Sequence, residues 1–414
     1  MLFLLACVAN CVDSQTNFIY GKQFGSDKDG VAFNPVADKC GNVFIAGNTK
    51  GILAGQSFGK TDGFVSKFDS TGNAIWTKQF GTTEDDIINW VTLDPSGNVF
   101  VTGCTNGVFG EKNFGKEDII VARFDSNGNI IWQKQYGSDS TDVGNMVYVD
   151  YQGNIYIAAA TKGTMDKTAF GGADCVILKL DHHGNIIWKK QFGTGKGDEC
   201  AGITGDSTNI YICGYTFGDL AAKNRGGLDA FIGKFNGNGE QVKLFQFGTE
   251  KFDMASHITL DKEKNMYIGG STAGDFDGKN QGEGDSFITK INKDFEITWT
   301  QQFGTNKWDG INGIALNERV CGNIVVSGCQ RWPNCESFIR MYSKEGSLLW
   351  ANNYSAGGKN GGTCGKGVCI DYRGNIYHSG NTGGNLFRSI EKPEGHDIIL
   401  IKLGLFDIQA GHSY

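Results

Sequence analysis

Only 4 of the 414 residues are proline and only 6 are histidine. So little proline excludes collagen and proline-rich disorder. Sparse histidine, with no Cys-x-x-Cys pair anywhere, argues against structural zinc. There is no basic excess: the formal net charge is −7 and the isoelectric point is near 5.5. That balance gives no electrostatic footprint for nucleic acid or anionic lipid. No apolar stretch approaches the ~20 residues of a membrane helix, so no transmembrane segment is expected. What abounds is glycine, 62 residues, about twice the usual share of ~7 %. Glycine weakens helix interiors, which argues against a helical protein. Aromatics at 12 % and charged residues at only 20 % are incompatible with a disordered chain. At 44.8 kDa there is ample material for a core, and length alone suggests two or three domains.

The run from Leu2 to Ala9 resembles the end of a secretory signal peptide, although the usual positive n-region is missing. A buried first strand, or a lipoprotein signal ending at Cys7, are the alternatives. The signal reading assigns residues 1–14 to a leader, 15–405 to the folded body and 406–414 to a tail. Removing the leader takes away two of the 12 cysteines and leaves ten. Ten thiols in a strand-rich secreted chain suggest disulfides. The candidates are Cys200, Cys213, Cys329, Cys335, Cys364 and Cys369, with Cys329 and Cys335 the obvious close pair; spacing alone does not fix the connectivity.

An internal repeat decides the architecture. Trp76-Thr-Lys-Gln-Phe80-Gly81 returns as Trp132-Gln-Lys-Gln-Tyr136-Gly137 and Trp188-Lys-Lys-Gln-Phe192-Gly193. Further copies end at Phe24, Phe247, Phe303 and, degenerate, Tyr354. The intervals between the aromatics are 56, 56, 56, 55, 56 and 51 residues. One array therefore fills the length, and the multi-domain reading falls. Each copy reads as four short strands. Trp90-Val-Thr-Leu93 leads through Asp94 and Gly97-Asn98 to Val-Phe-Val-Thr; after a glycine-rich loop comes Asp118-Ile-Ile-Val-Ala-Arg-Phe124. Asp-x-x-Gly-Asn punctuation marks hairpins, because Gly and Asn accept the positive φ of tight turns. Four strands per repeat, seven times, is an all-β, seven-bladed β-propeller. The N-terminal strand, about residues 18–24, would pair with the C-terminal strand, about 397–403, and close the ring.

The pattern Asp62-Gly-Phe-Val-Ser-Lys-Phe68-Asp-Ser-Thr-Gly72-Asn73-Ala-Ile-Trp76, then Phe80-Gly81 and Asp86, resembles the SBBP repeat, a seven-bladed β-propeller repeat family. The resemblance covers roughly residues 18 to 404. It implies a scaffold without a shared catalytic mechanism, in proteins that are largely extracellular or surface-displayed. Strand order also resembles that of NHL-type propellers, which implies that the segment near 86–94 is innermost and the Trp strand outermost. Departures fall at Lys243, which replaces Trp, in the short loop Cys329 to Cys335, and in the irregular seventh copy. Six of the ten cysteines fall in blades six, seven and one, so disulfides at the ring seam make physical sense.

Candidate functional residues cluster at the expected channel mouth. Asp86, Asp142, Asp198, Asp253 and Asp309 stand six residues after the repeat aromatic. A ring of carboxylates suits Ca²⁺ or another hard cation. A residue repeated in every blade, however, usually holds the blade, by accepting backbone N–H bonds in its own turn. Asn89, Asn145 and Asn312 follow three residues on and add polar channel lining; Trp90 and His257 are non-repeated neighbours. The Trp set at 76, 132, 188, 299 and 350 suits sugar stacking or, more simply, blade-to-blade packing. Gly55-Gln-Ser57-Phe-Gly59 matches a nucleophile-elbow pattern, but no helix follows and the other repeats lack the serine. No catalytic motif survives alignment of the repeats. Asn353-Tyr-Ser355 is a glycosylation sequon. The expectation is a non-enzymatic, secreted or cell-surface scaffold for a protein or glycan partner, within an extracellular assembly or alone, and with no required cofactor. The alternative is a propeller enzyme, a lyase or hydrolase, acting on polysaccharide at the channel mouth.

Overall fold

A computed structural model describes residues 15–317, 322–356, 361–387 and 395–406. The leader (1–14) and the tail beyond 406 lie outside the described residues. All regular structure is β, in seven sheets. Blade two is typical: Asp86–Leu93, Val99–Thr105, Asp118–Phe124 and Ile130–Tyr136 pair antiparallel in chain order. Blade one splits its first strand into Gly30–Ala32 and Val36–Ala37, interrupted at Phe33-Asn34-Pro35. The seventh blade is built from both ends of the chain. Gln15–Phe24 pairs antiparallel with Asp397–Phe406, placing Phe18 opposite Leu403 and Phe24 opposite Ile398. The ring thus closes by hydrogen bonding, and each blade keeps its two edges at the channel-lining innermost strand and the outermost strand.

The two middle strands of each blade are buried on both faces, as in Val99–Thr105, with small polar residues such as Thr102 and Thr105 among the apolar ones. They supply the core, which is seven separate hydrophobic clusters, one between each pair of successive blades. Phe44, Phe80, Val91, Phe100 and Phe124, for example, are 0–5 % exposed. Outer strands such as Ile130–Tyr136 expose their first residues and bury only their last two.

Two polar devices recur. In the first turn of blade two, Asp94 Oδ1 accepts N–H bonds from Ser96 and Asn98, both at 2.9 Å, while Gly97 takes φ 84°. In the outer strand, Gln79, Gln135, Gln191, Gln246 and Gln302 clamp the long loop between the second and third strands. Gln135 Oε1 accepts from the N–H groups of Phe109 (2.7 Å) and Gly110 (3.0 Å). Its Nε2 donates to Gly107 O (3.0 Å) and Asp118 Oδ2 (2.7 Å), so the whole amide is satisfied. Gln23 makes the same four bonds across the chain ends in blade seven.

The Trp set packs blade on blade. Trp76 Nε1 donates to Ser126 O of the next blade, and its ring lies over Gly128, where an added Cβ would sit 3.0 Å from it. Trp132, Trp188 and Trp299 repeat the contact on His182, Gly237 and Lys344. Where Lys243 replaces Trp, the facing glycine becomes Phe295 at φ 70°, with the Lys243 ammonium 4.7 Å above its ring. The two departures compensate each other.

Disulfide pairing differs from the closest-in-sequence expectation. Cys329 pairs with Cys364, joining blade six to blade seven, and Cys335 keeps a free thiol. A bridge within the short loop would tie one hairpin to itself, whereas the observed one crosses the seam beside the closing blade. Cys200, Cys213 and Cys369 are free as well.

Candidate functional site

The innermost strands converge on the ring axis, and they do so with a fault built in. In six blades the pairing register slips at the fourth residue of that strand, or the fifth in blade six: at Asn89, Asn145, Ala201, Ser256, Asn312 and Lys366. Each is the extra residue of a β-bulge, which re-aims a side chain without breaking the ladder on either side. These six side chains, with Phe33 from blade one, line a channel cavity of about 220 Å³. Trp90, Met146, Glu199 and His257 complete the lining.

Asn89, Trp90, Asn145, His257 and Asn312, singled out from the sequence, are thus brought together. The three asparagines also stitch the ring: Asn89 Nδ2 donates to Gly144 O (3.0 Å), Asn145 Nδ2 to Cys200 O (2.9 Å) and Asn312 Nδ2 to Gly365 O (2.9 Å). Trp90 and His257, from blades two and five, meet across the axis with ring centroids 5.4 Å apart. Burial pushes the His257 imidazole down to about 4, so it is neutral near pH 7, and its enclosed Nδ1 has no hydrogen-bond partner. Glu199 Oε2 accepts from Tyr215 OH at 2.5 Å. Burial also lowers the Lys366 ammonium. The lining therefore offers one neutral imidazole, one indole, one carboxylate, one amine and three amides.

The five aspartates are placed elsewhere. Asp86, Asp142, Asp198, Asp253 and Asp309 are 0–1 % exposed and none lines the cavity. Asp86 accepts at Oδ2 from the Thr82 N–H (2.5 Å) and hydroxyl (3.0 Å) and at Oδ1 from Thr105 (2.6 Å). Asp142 and Asp253 are held the same way by Ser138 with Thr161 and by Thr249 with Thr272. Burial raises the Asp86, Asp142, Asp253 and Asp309 carboxyls above their usual range, against those hydrogen bonds. A second carboxylate faces each: a Cβ at Gly81 would lie 2.7 Å from Asp86 Oδ2 and 3.0 Å from Asp62 Oδ1. These groups fasten one blade to the next. Among the described residues, the only three or more metal-ligating side chains close enough to share an ion are Cys329, Cys335 and Cys364.

Six lining positions went unread in the sequence: Phe33, Met146, Glu199, Ala201, Ser256 and Lys366. Phe33, Ala201 and Ser256 stand nine residues after their repeat aromatic, as Asn89 does, so the repeat arithmetic held that signal; Lys366 follows Tyr354 by twelve because the seventh copy is irregular. A second missed feature is on the loop-bearing face. Ile52, Phe58, Val108, Phe114, Phe170, Phe217, Phe252 and Trp332 are each 39–59 % exposed there, whereas beside the tight turns the exposed ring is Tyr151, next to aliphatic first residues of outer strands such as Ile130, Ile186, Ile297 and Leu348. Phe58, Phe114 and Phe170 recur four residues before the clamp aspartate. Their N–H groups bond to Asp62, Asp118 and Asp174, which fixes the backbone and turns the rings outward. Beside Phe252, Lys223, Arg225 and Lys251 edge a groove of about 1000 Å³ that also holds Glu250 and Asp275. Asn353 is exposed on the outer strand of blade six.

Residues 75–110 match the beta-propeller repeat SBBP, and the chain as a whole is a seven-bladed propeller, in keeping with the resemblance read from the sequence. The regulatory protein FlaEY of Caulobacter vibrioides is 21 % identical over 266 residues, which is 54 % of this chain and 28 % of that protein. The chain thus spans little more than a quarter of that relative. Among solved structures, an ulvan lyase with bound sugar superposes with a TM-score of 0.53 at 13 % identity, covering 91 % of this chain and 97 % of its own. BBS1N in complex with ARL6DN gives 0.52 at 9 % identity, covering 94 % and 97 %. At such identities the likeness is one of fold. No helix among the described residues is long and apolar enough to cross a membrane.

Proposed function

We propose that this propeller is a non-enzymatic binding scaffold whose loop-bearing face docks a protein partner outside the cell. The observation that carries the reading is the concentration of exposed rings on that face: Phe58, Phe114, Phe170, Phe217, Phe252 and Trp332. Exposed apolar groups gathered on one face, with charged groups beside them, are the composition of a protein interface. The clamped loops present them on a rigid frame, which lowers the entropy cost of docking. The inter-blade disulfide favours an oxidising compartment. Crosslinking of the native assembly tests the proposal. Links concentrated at residues 52–58, 108–114, 170, 217, 252 and 332 support it. Links confined to the tight turns or the outer strands overturn it. A glycan partner instead of a protein would register on a glycan array with the mature chain.

A second reading rests on the channel. Glu199, His257 and Lys366 are non-repeated, chemically distinct and gathered at one cavity, beside the flat face of Trp90. That set suits acid–base work on a polysaccharide. Incubation with a uronate-containing polysaccharide that yields no new chain ends would remove it.

A further inference from the structure

The sixth blade lacks the clamp that holds the long loop in the others. Asn353 stands where the glutamine should be and Glu336 where the aspartate should be, with Gln330 Nε2 bonded to Glu336 Oε2 at 2.7 Å. The loop is cut to the segment between Cys329 and Cys335, and sulfur takes over. The Cys329–Cys364 bridge spans blades six and seven, yet the three sulfurs, Cys335 included, all lie within 4.8 Å of one another. All three cysteines are 6–8 % exposed, close to the surface but out of bulk water. We propose that Cys329, Cys335 and Cys364 form a thiol–disulfide exchange centre that moves the bond between an inter-blade and an intra-blade pairing. The proposal is independent of the docking face.

The geometry meets the demands of exchange, in which a thiolate attacks one sulfur of a neighbouring disulfide. Cys335 loses its proton to solvent and its sulfur lone pair forms a bond to Cys329 Sγ. The Cys329–Cys364 bond breaks, and its electron pair leaves on Cys364 Sγ, which takes up a proton. One disulfide and one thiol exist before and after, so no oxidant or reductant is consumed. Proximity of the sulfurs, and not strand register, is what permits the product. Cys329 pairs with Ser337 and Gln330 with Glu336, so Cys335 lies just before its strand, two residues short of the position facing Cys329, with its sulfur within 4.8 Å of the other two. Lys366, two residues beyond Cys364 on the innermost strand of blade seven, is the charged neighbour of the Cys335 sulfur. Burial pushes the Cys335 thiol up, and the Lys366 ammonium pulls it part of the way back. The two pairings differ in what they fasten. Cys329–Cys364 couples blade six to the closing blade; Cys329–Cys335 clips one hairpin and leaves that junction to packing and to hydrogen bonds such as Asn312 to Gly365 and His378 to Ser337.

The test uses the full chain, held dilute and oxygen-free in mildly alkaline buffer, then acid-quenched, alkylated and mapped by mass spectrometry without reduction. The expected result is a Cys329–Cys335 peptide that grows with time as Cys329–Cys364 declines, at constant total free thiol. In Cys335→Ser only Cys329–Cys364 should be found. Hydrogen exchange on the same samples should show faster exchange in Thr363–Ile370 as the second pairing accumulates. A wild-type chain that keeps Cys329–Cys364 alone, with Cys335 fully alkylated at every time point, overturns the proposal. So does a second bridge that forms only with loss of free thiol, because that is oxidation.

Discussion

Replacing Gln135 by methionine isolates the loop clamp, because the side chain keeps its length and volume and loses only its amide. Gln135 is 7 % exposed and makes four hydrogen bonds. Without them the N–H groups of Phe109 and Gly110 lose their partner, and the carbonyl of Gly107 keeps only Asn113 Nδ2 at 3.3 Å. Asp118 Oδ2 keeps only the Phe114 N–H, at 2.7 Å. An unpaired buried group costs ~1–3 kcal/mol, and a bond to a carboxylate is worth ~1.5–3 kcal/mol. Phe109 is 2 % exposed, so its N–H stays dry; Gly107 is buried but its carbonyl keeps Asn113, and Gly110 lies nearer the surface and rehydrates. The expected cost is about 3–5 kcal/mol. Gln133→Met is the control: the same residue type, two positions earlier on the same strand, exposed, with one bond to Phe109 O at 2.6 Å. It should cost ~1 kcal/mol or less. Equilibrium denaturation supplies both numbers, and limited proteolysis should locate new cleavage within residues 106–117 and not within 162–173. Equal costs for the two substitutions, or cleavage spread over all loops, would refute the clamp as the source of loop rigidity.

Other outcomes follow from the same contacts. Gly128→Ala places a methyl 3.0 Å from the Trp76 ring at φ 80°, whereas Gly97→Ala at φ 84° meets nothing within 4 Å. Denaturation should show ~1 kcal/mol lost at Gly97 and ~2–3 kcal/mol at Gly128; equal losses would leave the tryptophan contact without weight. His378 is fully buried, between Ser337 Oγ (2.6 Å) and Gly367 O (2.9 Å), with its pKa lowered from 6.5 to about 4. Between those values the unfolded chain binds the extra proton, so the stability it contributes is lost as pH falls from 6.5. The loss at pH 5 should be about 2 kcal/mol. The wild type minus His378→Asn difference, measured across that window, should carry this slope, and a flat difference would defeat it. The raised Asp86, Asp142, Asp253 and Asp309 carboxyls act with the opposite sign, because the native state there holds its protons to higher pH. Their contribution falls as pH rises above 3.8. Phe58→Ser, Phe114→Ser and Phe170→Ser combined should abolish partner crosslinks while leaving the denaturation midpoint nearly unchanged, because these rings already face solvent. A large midpoint shift would mean they are packing residues.

The blade was legible because its markers are local. The repeat aromatic, the Asp-x-x-Gly-Asn turn and the Trp recur at fixed spacing, and each has one structural job. The channel was legible only in part. Asp86 and Asn89 are both polar, both repeated and three residues apart, and a regular strand would put them on opposite faces. The slip at Asn89 changes the alternation within Asp86–Leu93, as the one at Ser256 does within Asp253–Leu260. A bulge of that kind leaves no mark in composition, so aspartate and asparagine looked equally plausible as lining. The Gln clamp was hidden for another reason: Gln135 and Gln133 look alike in sequence and share a face of the strand, and only position along it, with the last two residues buried, separates a buried amide from an exposed one. The disulfide escaped because proximity in sequence pointed to Cys335, while the fold sets Cys364 of the next blade against Cys329.

The bulges also bear on how such a ring diversifies. A bulged residue is excluded from the ladder, so its side chain can change without disturbing the pairing of its neighbours. Asparagine, alanine, serine and lysine already occupy the equivalent positions Asn89, Ala201, Ser256 and Lys366. Phe33 sits in the break that replaces the bulge in blade one. The axis of the propeller is therefore lined by seven variable letters set in a fixed frame, three of which, Asn89, Asn145 and Asn312, also bond to the next blade. Duplicated repeats that start identical can drift apart there at little cost in stability, and a new specificity can be spelled at the centre while every outer contact stays as it was.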